Sequence, residues 1–234
     1  MKILQNIIGI LIGFATIILL FITSFEIATY GDYSWYEKEY EKYDVLTDLE
    51  MEMPEVRKVT EEMMAYLRGN RKDLVVETVV DGQEREFFND REKAHMVDVK
   101  NLFVGGLWVR RGLFVLVLAA FVFLVKSQSD WLRILPRSFL IAMGSFVGIT
   151  IGAGALFMTD FTKYFTIFHE IFFDNDLWLL DPATDLLIRM LPEGFFLDMM
   201  IRIGWTFVIM MGIVILISVA LLITQKIRKT NDNI

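Results

Sequence analysis

The chain has no cysteine, and only two histidines, His95 and His169, among its 234 residues. The first absence excludes disulfides, a thiol nucleophile and thiolate metal ligation. It also excludes that the chain is itself a lipid-modified lipoprotein, since that modification needs a cysteine. Other signals are missing too. There is no G-x-S-x-G nucleophile elbow and no glycine-rich phosphate loop. Gly144-Ser145 falls within an apolar run, where packing explains it. His169-Glu170 begins like the zinc motif H-E-x-x-H, but position 173 is Phe173, so the second ligand is absent. Neither a catalytic metal nor any other cofactor is therefore expected.

What is present in excess is apolar sequence, with 55% hydrophobic residues and a mean hydropathy of +0.47. It is gathered into blocks, from Leu4 to Phe25, from Phe139 to Met158 and from Ile203 to Ile223. Each approaches the roughly 20 residues that cross a hydrocarbon core. A further block from Gly112 to Val125 reaches that length only if Leu107, Trp108 and Val109 join it. Arg110 and Arg111 then sit near an interface, where arginine snorkels toward headgroups. These blocks predict an α-helical membrane protein, a four-transmembrane-helix bundle carrying a small extracytoplasmic α/β cap. The expected divisions are a first span in 1–30, an outer domain in 31–101, two spans in 102–159, an outer interfacial segment in 160–202, and a last span with its tail in 203–234.

Basic residues near the span ends set the expected orientation. Lys2 precedes the first block, Lys126, Arg133 and Arg137 lie between the second and third, and Lys226, Arg228 and Lys229 follow the fourth. Those places belong inside, which predicts a multi-pass protein of the cell membrane with both termini cytoplasmic. Arg110 and Arg111 argue weakly the other way and are outvoted. With one lysine before the first block and no A-x-A site after it, a retained anchor is expected rather than a cleaved signal. Residues 31–100 hold 19 acidic and 11 basic side chains, a net −8 within a total of −7. Such an acidic outer face gives no reason to expect a nucleic-acid partner; a solvated domain explains it.

Within the outer domain, Pro54 to Leu67 reads as a helix with proline in its first turn and Gly69 past its end. Leu74 to Val80 and Gln83 to Phe88 read as a hairpin around Asp81-Gly82. A second helix starts after Asn89, whose side chain caps it while Glu92 reaches back. His95 and Asp98 share one face of that helix. Later, Asp181 is expected to cap a short amphipathic helix with Pro182 in its first turn, ended by Pro192 and lying in the outer interface. Gly9 and Gly13, and Gly144, Gly148 and Gly152, have the four-residue spacing of helix contact faces.

Each histidine taken singly also fits a solvated or structural role. Two of them from separate segments, both at the outer membrane boundary, can instead converge on one site. Imidazole is the side chain whose ordinary pKa of roughly 6.5 suits proton transfer near neutrality.

Two long segments, FNDREKAHMVDVKNL from Phe88 to Leu102 and FHEIFFDNDLWLLDPATDLLIRMLPEGFFLD from Phe168 to Asp198, resemble the bacterial multi-pass proteins of the lipoprotein intramolecular transacylase (Lit) family. The resemblance extends over nearly the whole chain. It implies a substrate, a lipoprotein whose N-terminal cysteine bears a diacylglyceryl thioether and a free α-amine. It also implies a reaction, transfer of the sn-2 acyl chain onto that amine to give a lyso-form N-acyl lipoprotein. Ester becomes amide, which is downhill, so no ATP is required. The transition state closes an eight-membered ring, and orientation by an enzyme contributes most where such a ring is awkward to close. On this reading His95 is the general base, with Asp98 or Glu92 orienting its ring. His169 protonates the leaving glyceryl oxygen or donates to the oxyanion. Glu170 and Asp174 are orienting candidates, and Arg189 or Arg111 holds a carboxylate or lipid group. The histidine roles can be exchanged, and an acyl-histidine intermediate is an alternative. The rival readings are a zinc-dependent intramembrane hydrolase and a non-enzymatic membrane sensor or assembly factor whose acidic outer domain binds an exported partner.

Overall fold

A computed structural model describes residues 2–127 and 129–231. The side chains of Arg228 and Lys229, two of the residues used above for orientation, and positions 232–234 of the expected tail lie outside what is described. The chain is mainly helical. In order it forms α1 (Lys2–Tyr30), α2 (Ser34–Lys42), α3 (Val45–Leu49), α4 (Met53–Leu67), β1 (Glu77–Val80), β2 (Gln83–Glu86), α5 (Asp90–Lys126), α6 (Trp131–Thr159), α7 (Phe161–Phe172), α8 (Leu186–Met190) and α9 (Glu193–Asn231).

The chain divides into two compact units. One comprises Met1–Ile27, Trp108–Thr159 and Ile203–Ile234, and therefore holds the apolar lengths of α1, α5, α6 and α9. Among the described residues, α1, α5 and α9 are long and apolar enough to cross a membrane. α6 runs for 29 residues, enough in length for a crossing. Large apolar side chains on these helices point outward, with Trp108 and Val115 each 64% exposed and Leu216 72% exposed. Such a surface is costly in water and favourable in hydrocarbon, so the composition and the exposure make this a membrane protein.

The unit's own core is small. Ile17 of α1, Phe139 and Ala142 of α6, and Phe207 and Met211 of α9 bury one another, and the Phe207 ring meets Phe21 and Phe146 edge-on at 5.7 and 5.8 Å. Glycine sets the approach of α1 to α6. A Cβ on Gly13 would lie 2.7 Å from the Ser138 carbonyl oxygen, and one on Gly9 would lie 2.7 Å from the Ser138 hydroxyl. Gly13→Ala is therefore expected to push the two backbones apart and cost about 1–3 kcal/mol. A thermal melt of purified protein checks this, and an unchanged Tm contradicts the contact. Gly144, Gly148 and Gly152 behave otherwise. A Cβ at any of the three meets nothing within 4 Å among the described residues, so that stripe faces no described neighbour.

The second unit comprises Ala28–Leu107 and Asp160–Arg202. The α4 helix starts one residue before the predicted Pro54 and ends at Leu67, with Gly69 at φ +85° closing it. Its Val56, Val59, Met63 and Leu67 are buried with Tyr36 and Tyr40 of α2, and the Tyr40 and Thr60 hydroxyls pair at 2.6 Å. The hairpin has the expected turn. Asp81 and Gly82 both take positive φ, as a two-residue turn matching strand twist requires. Glu77 faces Glu86 and Val80 faces Gln83. The strands are shorter than the apolar pattern suggests, starting at Glu77 rather than Leu74.

Sequence patterning does not anticipate α2, α3 or α7. It also overextends α8, which starts at Leu186 rather than beside Pro182. The reason is local. The Asp181 side chain accepts from the Ala183 N–H at 2.9 Å and its carbonyl accepts from Thr184 and Asp185, so residues 181–185 form a turn instead of a first helical turn.

Candidate active site

The site belongs to the second unit and begins with the capping of α5. The Asn89 side-chain oxygen accepts from the Glu92 N–H at 2.9 Å, and the Glu92 carboxylate accepts from the Asn89 N–H at 2.7 Å. This is the reciprocal box expected from sequence. The same fully buried carboxylate also accepts from the Leu187 N–H at 2.6 Å, at the start of α8. Asn89 donates to Asp185 at 2.7 Å. Glu92 therefore clamps two backbone segments, and no hydrogen bond joins it to His95 among the described residues. Burial raises its pKa above the usual carboxylate range, and the N–H donors from Leu187 and Asn89 work against that rise.

His95 follows on the second turn of α5, well before the apolar run that opens near Leu107. Arg91, His95 and Asp98 share a face, and that face holds the link after α7. Arg91 donates to the Asp176 carbonyl at 2.5 Å, and Asn175 donates to Asp98 at 2.9 Å. Asn175 also accepts from the Leu177 N–H at 3.0 Å through its side chain, and from Trp178 Nε1 at 2.9 Å through its carbonyl. The link is thus fastened to α5 on both sides of His95.

His169 comes from the last turn of α7, whose start is capped by Asp160 accepting from the Lys163 N–H. The two imidazoles meet with centroids 6.1 Å apart and planes inclined by 34°. Both residues are buried, at 7% exposure each. Aromatic rings enclose them. Phe165, Trp178, Phe168 and Phe173 lie 4.2, 4.9, 5.4 and 5.5 Å from the His169 ring, and Phe173 meets the His95 ring edge-on at 5.4 Å. His169 Nδ1 lies 2.7 Å from the Phe165 carbonyl oxygen. A carbonyl only accepts, so in the neutral ring Nδ1 carries the proton and Nε2 keeps the lone pair. His95 Nδ1 is buried without a hydrogen-bond partner among the described residues.

Burial lowers both pKa values. His95 falls from 6.5 to about 4, through burial first and the neighbouring His169 next, with Asp98 pulling the other way. His169 is lowered by burial, against its bond to the Phe165 carbonyl. Both rings are neutral at pH 7. The depressed His95 pKa has a consequence for stability. Between about 4 and 6.5 the unfolded chain binds a proton that folded His95 refuses, so stability falls as pH drops through that window. From pH 7 to pH 5 the loss is about 2 kcal/mol. Melting curves of wild type and His95→Gln at the two pH values should show the larger drop in wild type. An equal drop contradicts the buried neutral ring.

The remaining sequence candidates make no bond to either histidine among the described residues. Glu170 and Asp174 are exposed and make no hydrogen bond or ion pair among the described residues. Arg189 binds the Asp48 carboxylate at 2.9 Å and the Asp48 carbonyl, tying α8 to α3. Arg111 belongs to the other unit, where its guanidinium lies over Trp108 at 4.9 Å. No group of three His, Asp or Glu side chains is arranged to hold a metal ion among the described residues. Asn175, Trp178, Phe165 and Phe173 surround the histidines without having been assigned a role from sequence. Of these, Phe173, Asn175 and Trp178 fall within the segment from Phe168 to Asp198 quoted above, and Phe165 lies just before it.

The family model for lipoprotein intramolecular transacylase Lit matches residues 10–196. The chain belongs to the Lit family. It is accordingly an acyl-transferring membrane enzyme of that family, and the sensor reading is not favoured. Among solved structures, the membrane integral lipoprotein intramolecular transacylase Lit from Bacillus cereus superposes with a TM-score of 0.78, covering 97% of this chain and 100% of that one at 19% identity. Two further structures of the Bacillus cereus protein carry arginine or alanine in place of one histidine. Each gives a TM-score of 0.74 at 19% identity, over 97% of this chain and 96% or 97% of the other. At that identity the likeness shows the fold. No curated protein sequence matches.

Proposed function

We propose that the chain moves the sn-2 acyl chain of a diacylglyceryl-modified lipoprotein cysteine onto that cysteine's own α-amine, leaving a lyso-form N-acyl lipoprotein. The observation that carries the reading is the pair of buried imidazoles with centroids 6.1 Å apart, one of them with a ring nitrogen that has no partner among the described residues. Rings this close, brought together from two separate helices, place two imidazoles within reach of one bound acyl group. Family membership supplies the substrate class, a lipoprotein.

The tautomer of His169 and the low pKa of His95 favour exchanging the roles read from sequence. His169 Nε2 holds the lone pair and takes the proton from the attacking amine, whose pKa is roughly 8. His95, held neutral, donates a hydrogen bond to the oxygen of the tetrahedral intermediate, with no proton lost to solvent. The amide C–N bond forms and the ester C–O bond breaks. The proton taken by His169 then passes to the departing glyceryl oxygen. Atoms balance without a co-reactant. Asp98, fixed by Asn175, pulls the His95 pKa upward, against the larger lowering by burial. Glu92 and Arg189 position the surrounding turns, while Glu170, Asp174 and Arg111 receive no part in the chemistry.

The same reading has four spans from α1, the apolar length of α5, α6 and α9. Both termini lie on the cytoplasmic side, and 31–101 and 160–202 carry the site at the outer face. Lys2, Lys126, Arg133, Arg137 and Lys226 at one set of helix ends support that orientation. The experiment is expression in a bacterial host that makes only diacyl lipoproteins, followed by mass spectrometry of a reporter's N-terminal peptide. N-acylation with loss of one glyceryl ester is expected. An unchanged diacyl peptide overturns the proposal.

A further inference from the structure

We infer that the cavity between the start of α6 and the end of α9 binds the phosphate of an anionic phospholipid headgroup. The cavity measures about 390 Å³ and belongs to the unit without the histidines. Arg133 and Arg137 line it from α6, four residues apart on one face, and Lys226 lines it from α9. Val219, Leu222 and Ile223 complete the wall one to two turns earlier on α9. Among the described residues no carboxylate lines it. Asp130, which is not among the lining residues, accepts from the lining Gln225 at 3.2 Å through its side chain.

The arrangement fits one ligand chemistry. Two guanidinium forks and an ammonium suit the oxygens of a phosphate, and arginine binds such groups in pairs of hydrogen bonds. Three cations around one open cavity repel one another, so an anion relieves a cost present in the empty site. Free inorganic phosphate satisfies only the polar half. The apolar wall continues into α9, a helix long and apolar enough to cross a bilayer, and suits the glycerol and first methylenes of a lipid. Basic pockets between membrane helices take headgroups in this manner. A zwitterionic headgroup fits less well, because no lining carboxylate receives its cation. The site does not depend on the assignment of the histidines and is tested separately from it.

The experiment uses full-length protein in detergent and native mass spectrometry with equal amounts of dioleoyl phosphatidylglycerol and dioleoyl phosphatidylcholine. Wild type should retain phosphatidylglycerol with about tenfold preference. Arg133→Gln, Arg137→Gln and Lys226→Gln combined should bring the preference to near unity, and Arg137→Gln alone should give an intermediate value. Millimolar inorganic phosphate should leave the lipid adduct in place. A wild type without preference, variants that retain phosphatidylglycerol as wild type does, or displacement by phosphate would each overturn the inference.

Discussion

Replacing His169 or His95 by alanine should slow acyl transfer by about a hundred- to ten-thousand-fold, the range that one positioned acid or base contributes. The two losses should differ in character. Without His169 the amine must lose its proton to solvent, so the residual rate of His169→Ala should climb with pH as the substrate amine, of pKa roughly 8, deprotonates. Without His95 the oxyanion loses a donor while the base remains, so the pH profile of His95→Ala should keep its shape at a lower level. Conversion of a reporter lipoprotein, followed by mass spectrometry of its N-terminal peptide at several pH values, reads both. Identical profiles in the two variants would contradict the assignment of base and donor. Unchanged rates would contradict the site.

Glu92→Ala should give the largest loss of stability, about 2–5 kcal/mol, because it strips the partner from two backbone N–H groups and leaves a void. Asn89 and Leu187 both donate to this carboxylate, and the residue is fully buried. Glu92→Gln keeps one acceptor oxygen and should recover part of the loss. Activity should fall with stability in both, since the α5 start that carries His95 is held by this clamp. A thermal melt alongside the transfer assay separates the two effects. A stable Glu92→Ala with abolished transfer would return Glu92 to the chemistry, as a direct orienter of His95. A stable and active variant would remove the clamp.

Much of this was legible from residues in sequence order. The Asn89–Glu92 box, the Asp81-Gly82 turn and the α4 bounds follow from local rules, because each is satisfied by neighbours within a few positions. The histidines were legible by scarcity, and the apolar blocks by length. The rest depends on contacts across the chain. Asn175 matters because it reaches Asp98, 77 positions earlier, and Arg189 because it finds Asp48, 141 positions earlier. No local pattern carries that information. Glu92 shows both sides, its cap readable from Asn89 and its bond to Leu187 invisible without the fold. The glycine stripes make the same point, since Gly13 meets the Ser138 carbonyl and the equally spaced Gly144, Gly148 and Gly152 meet nothing described. Spacing names a face but not what lies against it. Tautomers are likewise beyond sequence, and here one carbonyl at Phe165 decides which nitrogen of His169 keeps its lone pair.

The most direct measurement on the two imidazoles is a double-mutant cycle on the transfer rate. Groups acting on one acyl carbonyl in one step are not independent, so the His95→Ala, His169→Ala double variant should be about as slow as the slower single variant. A double variant slowed by the full product of the two single effects would mean that the rings act separately, and would contradict a shared site.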